Sequence, residues 1–461
     1  MAYTLEQSVT GVVGSADEII FVVKDTTNTA EPKYRYACQV TINSTVIGVF
    51  KQLPNNADCA VFNISQIVAP YLEQEENAWR LGLFDTTNTL QTVRNYSLNA
   101  QAIETVTLDF GYEFAATVND SPVLTLGQAS GSFRGVNGSL TDPISAYGVT
   151  SIGVFQLNGS TKRFLSDVTS NSDGIYTQWV AYGSAITQFG SLAFLNGDDV
   201  GSTGSGYAHV SYYASDGSAL NTAVFKNTPA YGGKEPALGL TDGQSLLYLG
   251  CFPFNLEGQT IASTLKPSDA GNAGWAYYDL QFASSLTLSG NQTSAIYRFR
   301  LLPCNRYQNA GKIYTLAWWN SVGGIDQLVF DGLSKVSQNI ERSKFRQRGG
   351  NAFNANGGSS PYSLEPYEGG VTSAGNNTTT SITLNTQALN PNDVTPLMKS
   401  MLNSERVYIY GSDLGSSINS GKENYVRAFV TDSSITYKEG INDKTSSYSV
   451  TVEISRRRAN P

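Results

Sequence analysis

The chain has 461 residues, of which 15% are charged and 11% aromatic, and a net charge of −8. That length exceeds one compact core, and abundant aromatic residues with so few charges exclude a disordered chain. An acidic balance argues against a nucleic-acid partner, and the chain has no run of about 18 apolar residues to insert into a membrane.

Gly (44) and Tyr (26) are plentiful while Met (3) is scarce, a composition that favours strands and turns over helices. The class expected is mainly β and multidomain: immunoglobulin-like or other β-sandwich units with a few short helices.

Residues 1–109 predict an N-terminal β-rich domain. DEIIFVVKD and YRYACQVTINSTVIGVFKQL read as strands, and Asn43 to Thr45 reads as the turn of a hairpin. In VFNISQIVAPYL, Asn63 suits a helix start, with Ile64, Ile67, Val68, Tyr71 and Leu72 at helical spacing. Pro70 keeps that helix short.

Residues 110–205 and 206–346 each predict a β-sandwich-like domain, with short strands and frequent turn signals. In HVSYYASDGSALNTAVFK, Ser215-Asp216-Gly217-Ser218 is a hairpin turn. Residues 347–379 shift to Gly, Asn and Ser. They read as a flexible linker, or as a long loop ordered against a neighbouring subunit through Phe353, Tyr362 and Tyr367. Residues 380–461 predict a C-terminal β-rich domain with one short helix capped by Asp393.

The single histidine limits the chemistry on offer. His209 sits on a strand pattern, with Tyr207, Ser211 and Tyr213 on its face and Ala208, Val210 and Tyr212 on the other. A structural role fits it better than a triad, since no nucleophile motif accompanies it. Cys38, Cys59, Cys251 and Cys304 are too widely spaced for a zinc pattern. They read as buried apolar residues in a chain without a secretory signal, made in a reducing cytoplasm. Asp198-Asp199 and Glu75-Glu76 lie in solvent-facing contexts, and no calcium loop is legible. No cofactor, metal or catalytic residue is implied.

Three candidate contact groups remain. Trp318 and Trp319 would point to opposite faces of a strand, so one packs in the core and the other needs a cover or offers a glycan platform. Gly323-Gly324 would make the following turn, and Asp326 would hydrogen-bond its backbone. Tyr362 and Tyr367 anchor the Gly/Asn-rich stretch. Arg456, Arg457 and Arg458 form a solvated tail or an electrostatic contact to an acidic neighbour.

The string YRFRLLPCNRYQNAGKIYTLAWWNSVGGIDQLVFDG resembles a segment of tail-associated structural proteins from marine and Bacteroidetes tailed bacteriophages. There a strand ending in Cys precedes a tryptophan- or leucine-led L-N-x-x-G-G-x-D-x-φ-x-F pattern (φ apolar), matched here by Cys304, Trp319-Asn320, Gly323-Gly324, Asp326 and Phe330. VFNISQIVAPYL near the start and LMKSMLNSERVYIYG near the end are similar too, with Asn63 at the family's usual Asp position. The resemblance implies a non-enzymatic virion tail component, assembled in the host cytoplasm. Its partners would be copies of itself, in a ring or trimer, and other tail proteins. A receptor- or carbohydrate-binding adhesin is the alternative.

Overall fold

The computed structural model describes residues 3–72, 97–99, 103–140, 155, 157, 159–182, 188–195, 206–226, 246–257, 266–302, 313–347, 370–387, 389–411, 425–432 and 445–454. The protein is mainly β, with several sheets packed as sandwiches and few short helices.

Two sheets make the N-terminal sandwich. One holds β1 (Tyr3–Gln7), β3 (Ile20–Asp25) and β6 (Cys59–Asn63), and the other holds β2 (Val12–Gly14), β9 (Val123–Val136), β8 (Ile103–Phe114), β4 (Arg35–Ile42) and β5 (Thr45–Gln52). Alternation of apolar residues turns Phe21, Val23, Tyr36, Cys38, Val40, Val106, Leu108 and Phe110 into one core between the sheets. The β4–β5 turn uses Asn43 and Ser44, both at positive φ, which matches the right-handed twist of a tight hairpin. The short helix Ser65–Val68 follows β6. Ile64, Val68 and Leu72 are buried at helical spacing, while Tyr71 stays half exposed. The cap position is Ile64, which has no side-chain cap bond, and Asn63 stands one residue earlier than expected, its Oδ1 accepting from the Ser65 backbone N–H at 3.1 Å.

The central sandwich has a five-stranded sheet, in the order β10 (Tyr176–Val180), β16 (Tyr297–Leu301), β15 (Tyr277–Ala283), β12 (Tyr207–Tyr213) and β13 (Ala219–Lys226). Opposite it lies a three-stranded sheet of β11 (Ser191–Leu195), β14 (Leu246–Gly250) and β7 (Ser97–Asn99). Every residue of β11 and β14 is buried. Leu192, Phe194, Leu247 and Leu249 enter the sandwich core. Their neighbours Ala193, Leu195, Leu246 and Tyr248 enter a second core, which they share with Val12 and Val136 of the N-terminal sandwich and with Ala317, Ile325 and Tyr408. The β12–β13 turn closes as its residues imply. Gly217 takes φ +85°, and Asp216 Oδ1 accepts from the Ser218 N–H and hydroxyl at 2.9 and 2.7 Å.

The C-terminal sheet has seven strands, in the order β18 (Ile325–Phe330), β17 (Tyr314–Trp319), β21 (Val407–Gly411), β22 (Tyr425–Val430), β23 (Ser449–Ile454), β20 (Gly370–Asn385) and β19 (Lys335–Gln347). Against it packs the helix Pro391–Asn403, burying Val394, Leu397, Met398 and Met401. Its cap is Asn390, whose side chain accepts from the Asn392 N–H at 3.1 Å. The cap therefore lies three residues before Asp393, because Pro391 fits the first helical position and extends the helix backwards. Asp393 instead accepts from Trp179 Nε1 at 3.1 Å. Pro396 removes the donor for the Asn392 carbonyl, and the Thr169 hydroxyl replaces it at 3.2 Å.

Strand pairing crosses the expected divisions of the chain. The 109/110 division falls inside β8, and β9 completes the N-terminal sheet. β17 pairs with β21 and β19 with β20, across the expected division at 346/347. Residues 370–379 of the Gly/Asn/Ser-rich stretch are strand, since pairing with β19 satisfies the backbone whatever the side chains. Residues 348–369 of that stretch lie outside the described residues, as do Glu75-Glu76, Asp198-Asp199 and Cys304. Cys38 and Cys251 are buried and Cys59 half-buried, all as free thiols.

Candidate functional site

The segment Trp318 to Asp326 joins the two sandwiches and the C-terminal sheet. Trp318 is fully buried, and its Nε1 donates to Ser400 Oγ on the C-terminal helix at 2.9 Å. Trp319 is half-buried on the other face of β17, packed against the core shared by the units.

The turn after them is built by Asn320. Its Oδ1 accepts from the Val322 and Gly324 N–H groups at 3.2 and 2.7 Å, and its Nδ2 donates to Leu165 O and Asp326 Oδ2 at 2.9 and 3.0 Å. Gly323 is at φ +84°, and a Cβ there would sit 1.8 Å from Asn137 O. A Cβ on Gly324 would sit 1.9 Å from Leu165 O. The glycine pair thus lets the turn lie flat against the backbone of the N-terminal and central units. Ser139 N–H donates to Ser321 O at 2.7 Å across the same contact.

Asp326 is buried, and the turn backbone it was expected to bond is held by Asn320 instead, which leaves Asp326 to bind the central unit. It accepts from Ser166 Oγ at 2.6 Å, from Asp167 N–H at 2.8 Å and from Asn320. Burial, with repulsion from Asp167 next, pushes its carboxyl well above the usual range, against the pull of those donors. Asp167 in turn accepts from the Ser321 N–H and hydroxyl at 2.9 and 2.6 Å. Both carboxylates are committed to holding the joint.

Trp319 forms part of the wall of a cleft of about 740 Å³ beside this joint. Lys399, Asn403, Glu405 and Arg406 line it from the end of the C-terminal helix, and Ala69 and Pro70 line it from the N-terminal unit. An indole with cationic and amide groups around it can bind a polar, ring-bearing ligand. His209 lies elsewhere, buried, with Nε2 at 3.1 Å from Ser285 O. Among the described residues no group of three or more His, Cys, Asp or Glu is placed to hold a metal. No helix among them is long and apolar enough to cross a membrane.

A second feature lies at the sheet edge. β20 pairs with β23 only from Ser381 to Asn385. Among the described residues, 370–380 pair with β19 alone, so a two-stranded ribbon leaves the sheet. It runs about ten residues on each strand, roughly 30 Å. All of β19 from Lys335 to Arg346 is exposed. Val336, Ile340, Arg342, Lys344 and Arg346 share one face by strand alternation. Among the described residues none of those three cations is in an ion pair.

This ribbon was not singled out from the sequence. The spacing of Arg342, Lys344 and Arg346 at every second residue is the signal that points to it. Tyr362, Tyr367, Arg456, Arg457 and Arg458 lie outside the described residues, so of the candidate contacts only the two tryptophans are placed.

No family model matches the chain, and no curated protein matches it. One solved structure similar to it is the calcium-binding domain CBD12 of CALX1.1. The two are 8% identical over 61% of this chain and 79% of that one, with a TM-score of 0.17. A likeness that slight carries no argument about fold or calcium.

Proposed function

We propose that this chain is a non-enzymatic structural protein of a bacteriophage virion, a tail component at the tip, baseplate or adaptor. It assembles there with copies of itself and with other tail proteins. The protruding ribbon carries this reading. An isolated two-stranded hairpin is only marginally stable in water, and this one bares Val336, Ile340, Phe345 and Val371. Such a strand edge is an aggregation hazard on a free monomer and a docking edge in an assembly. The similarity of the Trp319–Phe330 motif to phage tail proteins points the same way.

Mass spectrometry of density-purified particles tests the reading. The protein is expected in intact virions at a fixed ratio to other tail proteins. Its absence from them would overturn the proposal.

A tail adhesin for a host receptor or glycan is the second reading, favoured by the Trp319 cleft. It expects Trp319→Ala to abolish adsorption of the protein to host cells while leaving its melting temperature within a few degrees of the parent. Unchanged adsorption would remove this reading.

A further inference from the structure

Exposed apolar side chains are not spread evenly over this protein. Of the fourteen large ones among the described residues, seven lie between Val46 and Leu124 on the N-terminal sandwich, and five lie between Leu333 and Val371 on and beside the ribbon. The two surfaces also carry opposite charge. Among the described residues of the N-terminal sandwich, exposed Glu6, Glu18, Glu31, Asp58 and Asp120 outnumber exposed Lys33, Arg35 and Lys51. β19 holds four basic side chains against one acidic, Glu341.

We infer that the ribbon of one copy docks on the acidic N-terminal sandwich of a second copy of this chain. The inference rests on the reading of the protein as an assembly component and names the surfaces that assemble. The ribbon is exposed within its own chain, so its own N-terminal unit does not cover it. The apolar base at Val336 and Ile340 supplies buried area on docking. The stripe of Arg342, Lys344 and Arg346 supplies orientation and rejects another basic surface. A nucleic acid would meet the stripe but be repelled by the acidic remainder of the chain. Because the two surfaces differ, the contact is head-to-tail and repeats from copy to copy, which generates a ring when the rotation closes.

The test mixes isotope-labelled and unlabelled full-length protein and applies a zero-length carbodiimide cross-linker. Cross-links between chains are expected from Lys335 or Lys344 to carboxylates within residues 1–140. Ribbon cross-links that reach only other regions of the second copy, or none at all, would overturn the inference. In parallel, the triple variant Arg342→Glu, Lys344→Glu, Arg346→Glu is sedimented at low and high salt. Self-association is expected to weaken at least ~10-fold, and the parent's own association to weaken with salt. An unchanged melting temperature shows that the variant folds. Self-association equal to the parent's, or a parent that is monomeric at every concentration, would contradict the inference. A virion that contains the protein while the ribbon makes no contact between copies would sink this inference alone. Absence from virions would sink the functional reading and leave the contact standing.

Discussion

Gly323 shows how much of the joint rests on single atoms. Its φ of +84° and the 1.8 Å gap between a Cβ and Asn137 O leave no room for any side chain. Gly323→Ala is expected to cost about 2–4 kcal/mol, combining left-handed strain with a backbone clash. A denaturant titration checks it, and a loss under 0.5 kcal/mol would show that the turn does not dock as described.

Asp326 makes a pH statement. Its carboxyl rises in the fold from the ordinary 3.8 to about 7, chiefly through burial. The folded protein therefore binds this proton more tightly than the unfolded chain, and its contribution is present at low pH and lost as pH rises through that window. Asp326→Asn should flatten the fall in stability between pH 4 and pH 7, as read by melting temperature across that range. A slope identical to the parent's would contradict it.

The Trp-Trp pair and the glycines were legible as a strand followed by a turn. The partners of Asp326 were not, because Ser166 and Asp167 lie about 160 residues away in sequence and no local pattern encodes so distant a contact.

Elements with strong local chemistry were the readable ones. The Asn43-Ser44 and Asp216-Gly217 turns need positive φ, and few residues supply it cheaply. The C-terminal helix was legible in its apolar spacing but not at its start, where Asn390 followed by Pro391 outcompetes Asp393 as the cap. Asn390→Ala is expected to lower stability by about 1 kcal/mol, measured by chemical denaturation, with the corresponding change at Asp393 acting through the lost Trp179 bond instead. β20 was the hardest to read. Its GVTSAGNNTTTSITLN sequence has the composition of a linker in its first half, and only pairing with β19 makes it a strand. Period-two alternation of charge on the partner strand was the only local trace.

At the scale of the whole molecule, strands far apart in sequence share sheets, and a core built from both sandwiches and the C-terminal sheet lies beneath the Trp318–Asp326 joint. Composition shifts track surface exposure rather than sheet membership, which is why the fold class was legible while the divisions of the chain ran through β8 and the edge of the C-terminal sheet. The ribbon stands outside this shared core. A segment that contributes no buried area should be removable without loss of the fold, whereas one that exists for assembly should be missed only by its partners.

The most direct measurement compares the parent with a variant in which residues 340–378 are replaced by Asn-Gly, closing the ribbon between the paired positions Asn339 and Thr379. Melting temperature and sedimentation are recorded on both. The result expected is an unchanged melting temperature with loss of self-association. A large fall in melting temperature, or self-association that survives the shortening, would contradict the assignment of the ribbon to assembly.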